Sequence, residues 1–451
     1  MPVSKGQRAA RAKTLDDIRR LCTPAPLEGD ELNDFFVETD AARDPHQKTR
    51  ERLKQSLDCK EDARLLFYGH RGCGKSTELN KFLLEQGDRF LPVKFSVQSE
   101  MTASNVRAED LMLVITERVL DVANANGLKV NHKSLAKVQA YFEEHARTTK
   151  TSTRTTARAG GGIDAKSSVM GKLLGFFVTL RGDIQHDSYS ENTMLAKVRK
   201  RPAELLEQAN LVIEAVRSGL PPEQRLLIVV EDIDKLDLKL AREMYVNNAT
   251  LLAGIRTNII YTIPVFLFHS PDAGSFRPYF DDVIPLPMIK VTDPPKKRAV
   301  GFETIKRIVL SRVEDVLISA DALELLIEKT GGVLRQVFQV LHTISVMADV
   351  KPPIQKEQVQ YGLDQLKKEF WQQVSLPYET FDGVPKSVND LYERLTEYAK
   401  KQLKGEKAPP VADPTNQVLL KSCALIEYNG QGWFGVHPLV IENLRAMGRI
   451  E

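Results

Sequence analysis

Gly69-His70-Arg71-Gly72-Cys73-Gly74-Lys75-Ser76-Thr77 decides how the rest of the chain is read. It fits the phosphate-loop pattern G-x-x-x-x-G-K-[ST]. Leu65-Leu66-Phe67-Tyr68 in front reads as a buried strand, and Thr77 to Leu84 behind has helical spacing. Strand, loop and helix in that order are the context the pattern needs. Gly72 and Gly74 let the backbone turn its N–H groups toward a polyphosphate, and the helix N-terminus adds the positive end of its dipole. With Gly69, His70, Arg71, Cys73 and Thr77 these residues form the expected nucleotide cradle for ATP or ADP. Lys75 can reach the β- and γ-phosphates, and the Ser76 hydroxyl can ligate Mg²⁺.

A second element fits the first. Leu226-Leu227-Ile228-Val229-Val230 runs into Glu231-Asp232-Ile233-Asp234-Lys235. A continuous apolar run ending in acids reads as a strand of a parallel sheet, buried on both faces. Its acids then emerge at the carboxyl end, where open α/β sheets bind ligands. Carboxylates there can hold Mg²⁺, directly or through water, and polarise an attacking water. Glu231 stands at the metal-side position, and Asp232 is assigned to orienting water and to the metal set with Ser76. Asp234 is open to either role, or to capping the next helix.

Composition bounds the alternatives. The chain has 451 residues, 42% hydrophobic and 27% charged, enough for two or three ordinary globular domains. The net charge of +3 does not argue for nucleic acid. Cys22, Cys59, Cys73 and Cys423 lie far apart without zinc spacing, which suggests a reducing, cytoplasmic compartment. No apolar run approaches the ~18 residues of a membrane span, and the basic N-terminus lacks the apolar stretch of a signal peptide.

Residues 1–34 read as a basic arm or linker and 35–293 as the α/β core. Within the core, 146–190 looks inserted: Thr148 to Thr156 is rich in Thr and Ser, Gly160-Gly161-Gly162 follows, and Val169 to Val178 is apolar with glycines. A mobile loop or hairpin is expected there, with the apolar piece packed on its own protein or a neighbour. Asn258 to Ser270 reads as another core strand and Val283 to Val291 as a short edge strand. Thr262 sits mid-strand, where a hydroxyl can sense the γ-phosphate; an ordinary hydrogen-bonded core threonine reads the same. After Pro294-Pro295 the chain turns helical over 298–316, 320–329 and 333–348, within a lid expected to span 294–384. Residues 385–451 suggest a winged helix: a helix over Val388–Leu403, a short helix near Val418, a hairpin around Asn429-Gly430-Gln431-Gly432, and a last helix from Pro438 to Met447. Few basic residues flank the hairpin, so DNA reading is not favoured.

In this order the motifs resemble an AAA+/STAND-type P-loop ATPase, over roughly residues 35–450. The order of modules is similar to the Cdc6/Orc-like and STAND (NACHT, NB-ARC) branches. The resemblance implies a P-loop parallel sheet, a helical lid and a C-terminal winged helix. It gives Arg335, one turn after Gly331-Gly332, the sensor-2 role of stabilising γ-phosphate charge. Phe434-Gly435-Val436-His437-Pro438 resembles the winged-helix "MHD" segment, which implies that His437 approaches the β-phosphate of ADP. Pro438 stands where that motif has Asp, and Tyr261-Thr262-Ile263-Pro264 lacks the arginine common in STAND proteins. No sensor repeat array and no N-terminal effector is recognisable. The implied function is a slowly hydrolysing ATP switch that forms a homo-oligomer and controls a separate effector protein, as in prokaryotic antiphage systems. A DNA-binding loader of the Cdc6/Orc kind is the alternative. Arg256 and Arg277 are candidates for an arginine supplied to a neighbouring subunit.

Overall fold

The computed structural model describes residues 10–102, 105–147, 168–185, 194–293, 297–374, 378–379, 385–409, 411–428 and 432–451. The Thr/Ser-rich stretch from Thr148, the Gly160-Gly161-Gly162 triplet, Pro294-Pro295 and most of the turn at Asn429-Gly430-Gln431-Gly432 lie outside them.

Five parallel strands form the central sheet: β1 (Arg64–Gly69), β2 (Phe90–Ser96), β3 (Arg225–Glu231), β4 (Asn258–Pro264) and β5 (Asp282–Pro285). Their spatial order is β2-β3-β4-β1-β5. β1 and β3 are buried along almost their whole length because helices cover both faces. The order puts the phosphate loop, Ser96, Glu231 and Pro264 together at the carboxyl edge, beside the point where the strand order reverses. β4 stops at Pro264, short of the strand expected through Ser270. Pro264 is extended, and the apolar run continues as a helical turn, Val265–Phe268. The edge strand is likewise shorter than expected: its ladder with β1 ends at the Tyr68–Pro285 pair, closed by Leu286 N–H donating to the Tyr68 carbonyl at 2.7 Å.

The helices that build the site are, in chain order, α1 (Leu15–Leu21), α2 (Thr49–Asp58), α3 (Lys75–Glu85), α4 (Ala108–Ala125), α5 (His132–Arg147), α6 (Val169–Gln185) and α7 (Pro202–Arg217). α6 corrects the loop or hairpin expected inside 146–190. Met170, Leu173, Phe177, Leu180 and Ile184 recur at helical spacing and are buried, and α6 packs on α4 and α5. Arg181 ties it down, reaching Glu117 at 3.1 Å and Glu100 at 3.4 Å.

Beyond the core come α8 (Val300–Arg312), α9 (Ala320–Thr330), α10 (Leu334–Ser345) and α11 (Lys356–Val374). α9 and α10 pack on α11, and α1 packs on α10. The segment expected as an arm is therefore folded onto α8 and α10 from residue 10 onward. Ala12 N–H donates to the Arg312 carbonyl at 2.7 Å, and Ile18 and Cys22 are buried. Apolar spacing at Ile18, Leu21 and Cys22 explains this, with a Thr14–Asp17 capping box starting the helix.

The last unit holds α12 (Val388–Leu403), α13 (Pro414–Lys421), the hairpin β6 (Leu425–Tyr428) and β7 (Trp433–Val436), and α14 (Pro438–Ala446). α13 packs on the Val265–Phe268 turn. Met288 N–H donates to the Glu427 carbonyl at 3.3 Å, so the hairpin continues from the core's edge.

Candidate functional site

The phosphate loop closes on itself. Gly72 (φ +78°) and Gly74 (φ +104°) lie in the left-handed region that favours glycine. Crowding adds a second constraint at Gly72, where a Cβ would come 2.5 Å from the Cβ of Arg335. Arg335 N–H in turn donates to the Gly72 carbonyl at 3.2 Å. Helix α10 thus starts directly on the loop. Gly331-Gly332 makes this possible: both have positive φ, and a Cβ on Gly332 would overlap the Ile289 carbonyl.

Lys75, the first residue of α3, is turned inward. Its ammonium lies 2.9 Å from Asp234 and donates to the carbonyls of Gly69 (2.8 Å) and His70 (3.0 Å). Burial pushes the Asp234 carboxyl up, but the Lys75 ammonium outweighs it and holds that carboxyl below its ordinary value. Burial opposes charge on Lys75 as well, and Asp234 more than offsets it. Both partners are therefore charged. The Thr262 hydroxyl lies 3.3 Å from the Val230 carbonyl, and it also supports Asp234. Asp234 does not cap the next helix; Asp237 does.

The other two acids are held by lysines too. Lys94 Nζ is 2.7 Å from Glu231 Oε2, and Lys235 Nζ is 2.6 Å from Asp232 Oδ1. Ser96 donates to the second Asp232 oxygen at 2.5 Å, which keeps this non-glycine residue at φ +69°. Glu231 is 6% exposed, and its Oε1 is buried without a hydrogen-bond partner. With the Ser76 hydroxyl, that open oxygen suits Mg²⁺, which takes one or two protein ligands and completes its shell with phosphate and water. Among the described residues no group of three His, Cys, Asp or Glu side chains forms a closed metal cage.

These residues line one cavity of about 790 Å³, within the size range of small-molecule sites. Arg71, Gly72, Gly74, Lys75, Ser76, Thr77, Glu231, Asp232, Asp234, Thr262 and Arg335 all border it. So do seven cationic side chains against five carboxylates, an excess that complements a Mg-polyphosphate. Its lining also includes the apolar side chains of Leu27, Leu32, Phe35, Phe36, Ile308 and Phe338, which suit a planar base. Leu27 is fixed there through its backbone, bonded by Thr77 Oγ1 (3.1 Å) and Asn80 Nδ2 (2.8 Å).

Gly69, His70, Cys73 and His437 do not line the cavity. Cys73 is buried beneath the loop, and its carbonyl accepts from buried Arg43 at 2.6 Å. His437 caps α14, accepting from Leu439 N–H (3.2 Å), and its other nitrogen meets Gln336 of α10 at 2.8 Å. It touches Gln336, the neighbour of Arg335, and lies outside the cavity. The contact between hairpin and phosphate loop is made by His70 instead. Its Nε2 accepts the Glu427 N–H at 2.8 Å, which leaves the other ring nitrogen to donate toward the Leu420 carbonyl. Burial, then the nearby Lys75 charge, push the His70 pKa down to about 3, and burial does the same to His437. Glu427 completes this joint, with Tyr68 donating to one oxygen (3.2 Å) and His269 3.0 Å from the other. Arg277 stacks over Phe268, and neither it nor Arg256 lines the cavity.

Lys94, Ser96 and Arg43 join the site without having been expected there. Lys94 and Ser96 are polar at i and i+2 of an otherwise apolar strand, a legible sign that one strand face meets the cavity. Nothing in the local sequence marks Arg43.

No protein-family profile matches the sequence, and no curated protein matches it. Among solved structures the chain is similar to a Walker-type ATPase of Pyrococcus abyssi, at 12% identity and TM-score 0.41, covering 94% of this chain and 99% of that one. It is also similar to the Orc2 protein of Aeropyrum pernix in ADPNP–ADP complexes (12%, TM-score 0.38, 88% and 93%). A third is the RuvB Holliday junction branch migration motor of Thermotoga maritima (13%, TM-score 0.35, 94% and 98%). These superpositions are loose, and the functional reading rests on the chain's own residues.

Proposed function

We propose that this chain is a Mg²⁺-dependent P-loop ATPase that works as a nucleotide switch. In this reading ATP binds between sheet and lid, hydrolysis is slow, and the nucleotide state sets self-association and contact with a separate partner protein. The observation that carries it is the double use of the phosphate loop. From inside, Lys75 holds the Gly69 and His70 carbonyls. From outside, the hairpin holds the His70 ring and the lid holds Gly72. A nucleotide that draws Lys75 onto its phosphates releases those carbonyls and Asp234, so the loop to which lid and hairpin are pinned must readjust. The free energy of switching is the difference in affinity for ATP and ADP between the two arrangements.

A DNA-bound loader is the competing proposal. It is less favoured because α13, the helix before the hairpin, is covered by the core in this arrangement. Size-exclusion chromatography with light scattering separates the two readings. The samples contain ADP, a slowly hydrolysed ATP analogue, or duplex DNA at moderate salt. Assembly with the ATP analogue alone supports the switch, whereas DNA-dependent assembly replaces it with the loader.

A further inference from the structure

Lys94 lies where three parts of the site meet. It sits on β2 two residues before Ser96, half-buried, and its ammonium is 2.7 Å from Glu231 Oε2. The same ammonium donates to Asn80 Oδ1 on α3. Asn80 follows Ser76 by four residues, so both side chains lie on one face of that helix. One lysine therefore bridges the helix that carries the metal-side hydroxyl and the strand that carries the metal-side acid. It uses only one Glu231 oxygen. The other, Oε1, is buried with no partner in a residue that is 6% exposed.

We infer that Lys94 is a positioning residue that makes divalent-metal entry conditional on bound nucleotide, an inference that rests on the nucleotide-binding reading above. Without nucleotide, a divalent cation at Glu231 faces the Lys94 ammonium with no phosphate to offset it. Even at an effective dielectric of about 20, a dication sharing this carboxylate with the ammonium is repelled strongly enough to weaken metal binding by well over ~100-fold. A triphosphate reverses the balance, because its negative charge accompanies the metal. Lys94 then keeps Oε2 and leaves Oε1 aimed at the metal position, so the acid needs no reorientation when the complex arrives. The lysine also removes the cost of a buried, unpaired Glu231 while the site is empty.

The test uses Mn²⁺ as a paramagnetic probe on the full chain, with fluorescent ATP binding measured in parallel. Wild type and Lys94→Arg should bind no Mn²⁺ tightly without nucleotide. Lys94→Met should take up Mn²⁺ by itself, and the Mg²⁺ concentration giving half-maximal effect on ATP-analogue binding should fall by about tenfold or more. Lys94→Gln serves the same purpose if the Met variant does not fold. Nucleotide-free Mn²⁺ binding that is the same in wild type and Lys94→Met, with ATP-analogue binding intact, overturns the role of Lys94 alone. Failure of the wild type to bind the ATP analogue overturns the nucleotide reading and this inference with it.

Discussion

Asp234→Asn isolates the latch on Lys75. In the structure the Lys75 ammonium has three acceptors, Asp234 and the Gly69 and His70 carbonyls, and is 7% exposed. Removing one partner of a buried ion pair costs about 3–5 kcal/mol, because the remaining charge is left uncompensated. The amide can still accept a hydrogen bond, so the low end applies, about 3 kcal/mol. At about 2 °C per kcal/mol for a large domain, the melting temperature without nucleotide should fall by about 6 °C. A bound triphosphate supplies Lys75 with another anionic partner, so the loss should largely vanish with Mg-ATP. The nucleotide-induced rise in melting temperature should widen by a similar ~6 °C, and ATP affinity should tighten by up to about 100-fold. Thermal melts and calorimetric titration read both quantities. An equal fall with and without nucleotide would refute the latch, as would no fall at all.

Further outcomes follow from the same geometry. Lys75→Ala should lose ATP binding while the fold persists, checked by calorimetry; unchanged affinity would sink the phosphate-loop assignment. Asp232→Asn should bind ATP and slow phosphate release, since Ser96 and Lys235 hold this carboxylate at the cavity wall; unchanged turnover would move the water-orienting role to Glu231 or Asp234. Acid should destabilise the chain early. His70 and His437 are held neutral, with their pKa lowered from 6.5 to about 3, so their contribution is complete above about pH 6.5 and drains as pH falls toward 3. By pH 5 each costs about 2 kcal/mol, and His70→Gln should flatten the melting profile between about pH 6.5 and 4.5.

Local patterns carried the reading as far as local forces fix structure. The phosphate loop, the acid-ended strand and the Gly-Gly turn were legible because each needs particular residue types at fixed spacing. Val359, Leu363, Leu366 and Phe370, all buried on α11, repeat at helical spacing too, so that helix was visible in principle but not anticipated. Val169 to Val178 fell within an expected mobile loop or hairpin, and its glycines argue against a helix, yet burial of one apolar face overrode that propensity. Contacts between distant segments were beyond reach. Nothing near Arg43 announces that it holds Cys73, and the resemblance pointed to His437 while the hairpin meets the phosphate loop through His70.

A nucleotide switch of this kind requires that joint to be coupled to nucleotide. Hydrogen–deuterium exchange over residues 424–428 and 433–438 measures it, comparing ADP with a slowly hydrolysed ATP analogue at saturating Mg²⁺. Faster exchange of the hairpin amides, Glu427 above all, with the ATP analogue is the predicted result. Equal protection in both states, with both nucleotides shown to be bound, would contradict it.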